Sequence, residues 1–166
     1  DPDKLEEAAK LLGNAEKPMI YSGGGVLNSE AWDELFTLAE MIQAPVVMSP
    51  NGRGAVSDRH YLGQNSLAGR ELIQDADVVF CVGTRMIEPA TYPWGLQPGR
   101  TVIQMDIDPE EVGRNYDLTV GIVADAKTGL AALAERVAAH NRKRDSREDE
   151  LMGVKQRSRD ALDAIN

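Results

Sequence analysis

The run DVVFCVG at residues 77–83 is apolar at successive positions, and PMIYSG (18–23) and PVVMS (45–49) share the habit. Strands of that kind are hidden on both faces, which happens when a parallel sheet carries helices on each side. TVIQMDID (101–108) and LTVGIVAD (118–125) supply two further strands. The intervening segments change period. DKLEEAAKLLGNA (3–15) sets Leu5, Ala8, Ala9, Leu11 and Leu12 at helical spacing and stops at Gly13-Asn14. A second helix carries Trp32, Leu35, Phe36, Leu38, Ala39 and Ile42, with Asn28 or Ser29 as its cap and Pro45 blocking its continuation. RELIQDA (70–76) predicts a short helix, Asp108-Pro109-Glu110-Glu111 reads as a helix start, and residues 126–140 form a helix rich in alanine and leucine. Strand and helix alternate throughout. The pattern predicts an α/β fold: an open doubly wound, mainly parallel sheet of five or six strands with helices on both faces. In such sheets ligands sit beyond the carboxyl ends of the strands, where the strand order reverses.

A chain of 166 residues fits one domain of this type. The division predicted is a domain over 1–140 and, over 141–166, a charged helical tail or a linker toward a missing C-terminal domain, NRKRDSREDELMGVKQRSRDALDAIN, which Gly153 interrupts and whose acids largely cancel its bases. The opening Asp1-Pro2 suggests a piece of something longer. A formal charge of −9 argues against a sequence-independent nucleic-acid surface or an anionic membrane, and no apolar run approaches the roughly 20 residues of a membrane span. Cys81 is the only cysteine, which excludes a disulfide framework and a cysteine-based metal cluster and fits a reducing cytoplasm.

The candidate site lies at the strand ends. Gly23, Gly24 and Gly25 follow the first strand, where glycine permits a tight turn into a helix or the close approach of a phosphate or flavin. The dinucleotide fingerprint is only half met: Asn28 stands where the last glycine belongs, and no acid near Met48-Ser49 is available for a ribose. Gly83, Thr84 and Arg85 end the third long strand, Asp106 and Asp108 the next, and Asp125 the last. Arginine suits a phosphate or carboxylate, and an aspartate there accepts from ribose or adenine. His60 and His140 have no nucleophile beside them in sequence, and no nucleophile-elbow, P-loop or zinc-helix motif is present. The long irregular stretch from 50 to 69 is expected to be functional or an interface.

Together KPMIYSGGGV, APVVMSPNGRGAVSDRHYLGQNS, DADVVFCVGTRM and TVIQMDIDPEEVGRNYDLTVGIVADAKTGLAAL resemble, in that order, the central domain of the thiamine-diphosphate-dependent enzymes, the family of acetolactate synthase, oxalyl-CoA decarboxylase and benzaldehyde lyase. The resemblance covers roughly residues 3–138 and implies a Rossmann-like fold of the DHS-like NAD/FAD-binding type. It implies a three-domain parent of lyase or transferase activity on 2-keto acids or related substrates. There, thiamine diphosphate and Mg²⁺ are held by the N- and C-terminal domains, not by this chain, which is inactive in isolation. The central domain in such enzymes holds FAD without a redox role, or ADP, or serves as scaffold and homo-oligomer contact. By position the cofactor contacts fall on Gly23, Gly24, Gly25, Ser49, Pro50, Leu62, Gly63, Gln64, Asn65, Gly83, Thr84, Arg85, Met86, Ile87, Asp106, Ile107, Asp125 and Ala126. The chain departs from acetolactate synthases at residues 86–89 and at Gln64-Asn65, which points to changed or lost nucleotide binding. The alternative is a stand-alone nucleotide- or CoA-binding module. Burial in a parent enzyme would leave apolar surface around Tyr92, Trp94 and Leu96, and with it self-association.

Overall fold

The computed structural model describes residues 1–85 and 100–166. Six parallel strands make one sheet: β1 (Pro18–Ser22), β2 (Val46–Met48), β3 (Gly63–Gln64), β4 (Val78–Val82), β5 (Thr101–Asp106) and β6 (Val120–Val123). Their spatial order is β3-β2-β1-β4-β5-β6. The chain steps outward from β1 to β3 and then returns to build the other half, so the order reverses between β1 and β4. That junction is the switch point of a doubly wound sheet. The helices are α1 (Pro2–Asn14), α2 (Gly24–Asn28), α3 (Trp32–Ile42), α4 (Ser66–Asp75), α5 (Ala126–His140) and α6 (Glu148–Asp163).

The two faces of the sheet differ in chemistry. Paired residues on neighbouring strands point the same way. Ile20, Val46, Phe80, Ile103 and Val120 therefore share one face. All five are buried, and α1, α3 and α5 pack together as the layer on that side. Gly129 lets α5 approach so closely that a Cβ there would stand 2.6 Å from the Met105 sulfur. The opposite face carries a mixed row: Gln64, Val47, Tyr21, Cys81 and Gln104. A right-handed crossover from β3 to β4 puts α4 on this second face, and α6 packs beside α4.

The amino edge of the sheet is closed by arginines. Helices α1, α3 and α4 each end just before a strand, so their last carbonyls point to this edge without intrahelical donors. Arg144 donates to Leu12 O at 3.0 Å, Gly13 O at 3.0 Å and Ala15 O at 2.6 Å, capping α1. Arg147 donates to Gln43 O at 3.2 Å behind α3, where Asn141 also donates to Met41 O at 2.8 Å. Arg100 donates to the carbonyls of Ile73, Gln74 and Ala76 at the end of α4. Each cation also meets the negative end of a helix dipole.

Several expectations change. Residues 50–69 are not wholly irregular: they hold a turn of 3₁₀ helix at Pro50–Gly52, the short edge strand β3 and the start of α4, which Asn65 caps by accepting from Ala68 N. The glycines lead into the single turn of α2, and Glu30 then turns the chain at φ 55° before α3 begins, so neither Asn28 nor Ser29 caps α3. No helix follows Asp108; residues 109–113 form hydrogen-bonded turns instead. The reason is Gln104, whose side chain donates to Glu111 O and accepts from Gly113 N, consuming groups that a helix would need. Gly153 does not interrupt α6, and that helix is not solvated on all sides: Leu151, Val154, Lys155 and Ser158 are buried.

Candidate functional site

The three glycines sit where the switch point requires the backbones of two loops to meet. A Cβ on Gly23 would lie 2.4 Å from Gly83 O, and one on Gly25 would lie 2.7 Å from Gly83 Cα. Gly83 itself takes φ +63° and leaves no room for a side chain. The loops are also bonded: Gly23 N donates to Val82 O at 3.0 Å and Gly25 N to Gly83 O at 2.9 Å. Protein contacts alone therefore account for Gly23, Gly25 and Gly83. Gly24 is different. A Cβ there would meet Asn51 at an ordinary 3.4 Å, and its φ is not in the left-handed region, so nothing among the described residues demands glycine at that position.

On the far side of the switch point, Arg85 extends from the end of β4 with a side chain 72% exposed. Its Nε is 3.9 Å from Glu111 Oε1, a loose contact, while Arg114 lies nearer to the same oxygen at 3.2 Å. Glu111 is buried, and its Oε2 has no hydrogen-bond partner. The segment leading to Arg85 is tied down by two side chains: Gln104 donates to Thr84 O at 3.3 Å and Asn115 donates to Arg85 O at 2.7 Å. Sequence reasoning missed Gln104, Glu111 and Asn115. The signal available was a glutamine inside an apolar strand, since a buried amide must find partners. Asp106 and Ile107 follow on the next strand. Asp106 accepts from Asp108 N at 2.9 Å, and Ile107 is 69% exposed, a large apolar side chain standing in solvent at the carboxyl edge.

The remaining candidates divide. Ser49 joins the central group: its N donates to Ser22 O, and its hydroxyl accepts from Gly52 N at 3.2 Å. Gly63, Gln64 and Asn65 lie on the outer flank, two strands from β1, and the side chains of the last two turn toward α6. Asp125 lies at the opposite flank as the cap of α5, accepting from Thr128 N at 3.2 Å. Beside it Lys127 donates to Glu34 at 2.9 Å, and that bond holds the Glu34 carboxyl below its usual range. His60 is held within its own loop, its Nδ1 accepting from Leu62 N and its ring lying 4.5 Å from Tyr61. His140 Nε2 contacts Glu6 at 2.5 Å, far from the strand ends. Met86, Ile87, Tyr92, Trp94 and Leu96 lie outside the described residues.

A groove of ≈ 170 Å³ opens between α4 and α6, lined by Lys17, Pro45, Glu71, Asp75, Arg147 and Arg157 among others. It belongs to the amino edge, and its cations are already engaged: Lys17 and Arg147 with Glu150, Arg157 with Glu71. Among the described residues no group of three or more His, Cys, Asp or Glu could hold a metal ion. The carboxyl edge carries, in spatial order, an open glycine after β1, an exposed arginine after β4 and an exposed isoleucine after β5.

An open six-stranded parallel sheet whose order reverses between β1 and β4 defines a doubly wound α/β architecture. The family model described as thiamine pyrophosphate enzyme, central domain, matches residues 5–133, and the chain belongs to that family. An acetolactate synthase of Mycobacterium avium is 38% identical over 139 residues, covering 80% of this chain and 22% of that protein. A sulfoacetaldehyde acetyltransferase of Rhodobacter capsulatus is 36% identical over 149 residues, covering 84% of this chain and 25% of its own length. The chain thus spans about a quarter of the length of the curated relatives it matches. Among solved structures, a putative thiamin diphosphate-dependent enzyme from Mycobacterium smegmatis superposes with a TM-score of 0.71 at 25% identity, over 89% of this chain and 29% of that one. Among the described residues no helix is long and apolar enough to cross a membrane.

Proposed function

We propose that this central domain binds the nucleotide portion of FAD, or ADP, across the carboxyl edge of its sheet. The carrying observation is the contrast within the glycine turn: Gly23 and Gly25 are packed against Gly83 while nothing among the described residues crowds Gly24, and Arg85 at the end of β4 stands between the Gly24 end of β1 and the exposed Ile107 after β5. Arg85 would take phosphate, Ile107 and Asp106 the base and ribose, and Gly24 would admit the ligand to the backbone, with Ser49, Gly83 and Thr84 shaping the crevice. Bound there, the nucleotide would supply no bond-making step; it would brace this domain against its neighbours. Gln104 and Asn115 hold the Arg85 segment so that the guanidinium is presented rather than folded away.

The longer protein is, in this reading, a thiamine-diphosphate-dependent lyase or transferase of the acetolactate-synthase kind, acting on a 2-keto acid in the cytoplasm as a homo-oligomer. The family and the quarter-length coverage support it, and a single, buried cysteine, Cys81, suits a reducing compartment. Its cofactor and Mg²⁺ would belong to flanking domains, and segment 141–166 would lead toward one of them.

The test is a thermal shift of the chain with FAD and with ADP. At a hundredfold excess over Kd, binding stabilises by about 2.7 kcal/mol, a rise of roughly 5–10 °C for a domain of this size. Arg85→Ala and Gly24→Leu should abolish the shift without lowering the ligand-free melting temperature by more than about 2 °C. No shift with either ligand at millimolar concentration rejects the reading.

A further inference from the structure

Helix α6 is fastened to the open edge of the sheet by polar contacts more than by apolar ones. Strand β3 pairs only with β2, so the outer N–H and C=O of Gly63 need other partners. Gly63 N finds His60 O, and Gly63 O accepts from the ammonium of Lys155, which also donates to Asp58 O at 2.8 Å. Gln64 Nε2 donates to Leu151 O at 3.0 Å, and Asn65 Nδ2 donates to Ser158 Oγ at 3.3 Å. Over the length of α6 only Leu151 and Val154 are buried apolar side chains, against Leu130, Leu133 and Val137 with three alanine or glycine neighbours in α5. The arginine clamp below ends at Arg147, and α6 starts without a side-chain cap.

The docked arrangement is also imperfect at one atom. Gln64 Oε1 is buried and has no donor, although the other end of the same amide is doubly engaged, with Tyr61 O and Leu151 O. Both partners of the nitrogen are carbonyls, so turning the amide over would not help. The orphan acceptor is relieved only if the side chain swings free. An element with few apolar anchors and a frustrated polar contact belongs to the part of a structure that opens separately from the core.

We propose that α6 is a strap that opens as a unit, and that its docking withholds Gln64 and Asn65 from the carboxyl edge of the sheet. The closed strap engages both side chains through α6; opening frees Asn65 Nδ2, whose Oδ1 still caps α4, and leaves Gln64 held by Tyr61 O alone, on the flank of the crevice. The strap thereby opposes ligand binding, and a ligand that uses those side chains opposes the strap by the same factor. This coupling rests on the nucleotide reading of the crevice, whereas the opening of the strap does not.

Hydrogen exchange followed by mass spectrometry, with parallel ADP titrations, tests both parts on the full chain. In the wild type, peptides from α6 should exchange through an opening at least about a hundredfold more populated than the one that exposes α5 and β4. Lys155→Met leaves the buried Gly63 carbonyl and the part-buried Asp58 carbonyl without this donor and should speed α6 exchange about thirtyfold while α5 and β4 stay unchanged. The same variant should bind ADP with an apparent Kd lower by up to about thirtyfold. Ser158→Ala, which removes the Asn65 contact and a bond to Lys155 O within α6, gives a smaller shift in the same directions and serves if Lys155→Met fails to fold. Exchange of α6 at the rate of α5 in the wild type overturns the strap. An opening strap with unchanged ADP affinity overturns the coupling. Absence of ADP binding in every form overturns the nucleotide reading and the coupling with it, leaving the exchange data to decide the strap.

Discussion

Replacing Arg144 with alanine should cost this chain about 2–3 kcal/mol. The guanidinium makes four hydrogen bonds, three to the carbonyls of Leu12, Gly13 and Ala15 and one from Nε to Asn141 Oδ1 at 2.9 Å. Truncation does not orphan all three carbonyls. Leu12 O retains the bond from Ala15 N at 3.3 Å, and Gly13 O retains the one from Arg142 N at 2.9 Å, which leaves Ala15 O as the group most exposed to loss. A hydrogen bond to a charged partner contributes about 1.5–3 kcal/mol, and a cation at a partly buried helix terminus adds up to about 2 kcal/mol. Against this stands the desolvation of the guanidinium, the largest of the effects that lower its pKa, ahead of repulsion from Arg142. The balance corresponds to a fall in melting temperature of about 4–12 °C, read by calorimetry or circular dichroism. Arg144→Lys should recover less than half of the loss, because one ammonium cannot span the same three acceptors. Arg142, with exposed contacts to Asn14 O at 3.4 Å and Glu16 at 3.6 Å, is the control, and its alanine variant should cost under about 1 kcal/mol. A melting temperature for Arg144→Ala within about 1 °C of the wild type, or an equal loss for Arg142→Ala, refutes the reasoning.

The glycine turn gives a second contrast: Gly25→Ala drives a Cβ to 2.7 Å from Gly83 Cα and should destabilise by at least about 2 kcal/mol, whereas Gly24→Ala should leave stability within about 0.5 kcal/mol, both read by urea titration. Gln104→Leu should cost about 2–3 kcal/mol and loosen residues 84–85 and 111–113 in hydrogen exchange, because one amide serves Thr84 O, Glu111 O and Gly113 N. Glu150 gives a pH test. The hydrogen bond from Arg147 holds its carboxyl below the ordinary value, so the folded form releases this proton more readily than the unfolded chain does. The stabilisation is complete above about pH 4.5 and is lost as the pH falls through the lowered folded value. The stability difference between wild type and Glu150→Gln should therefore shrink steadily as the pH falls from about 4.5; a difference that does not change as the solution is acidified contradicts the assignment.

The parts of this fold that could be read from sequence are those in which one physical signal dominates. Continuous apolar runs announced β1, β2, β4, β5 and β6, because burial on both faces leaves no room for alternation. Strand β3 was hidden: it is two residues long, one is glycine, and the other is a glutamine buried only because α6 supplies a carbonyl. The tail's helical character was legible, but the docking of α6 was hidden for a related reason. Its buried stripe includes Lys155 and Ser158, which look solvated until their partners on β3 and in the preceding loop are seen. The misplaced helix at Asp108 shows the converse. Its cap is real, with Glu110 N donating to Asp108 Oδ1 at 2.9 Å, but a side chain on β5 captures the following turn.

At the site, sequence located the strand ends and the arginine but not what shapes them. Three adjacent glycines look equivalent as letters. Two are small because Gly83 packs against them from a loop some 60 residues away, and that contact has no local signature. The side chains that position Arg85 come from β5 and the turn after it, which sequence presents as an apolar strand and a helix start.

The central claim is that a nucleotide binds at the carboxyl edge, and backbone amide NMR during titration with ADP and FAD tests it most directly. The account predicts saturable shifts centred on Gly24, Arg85 and Ile107, with the amino-edge groove around Lys17, Glu71 and Arg157 unmoved. Shifts confined to that groove, or none at saturating ligand, would contradict it.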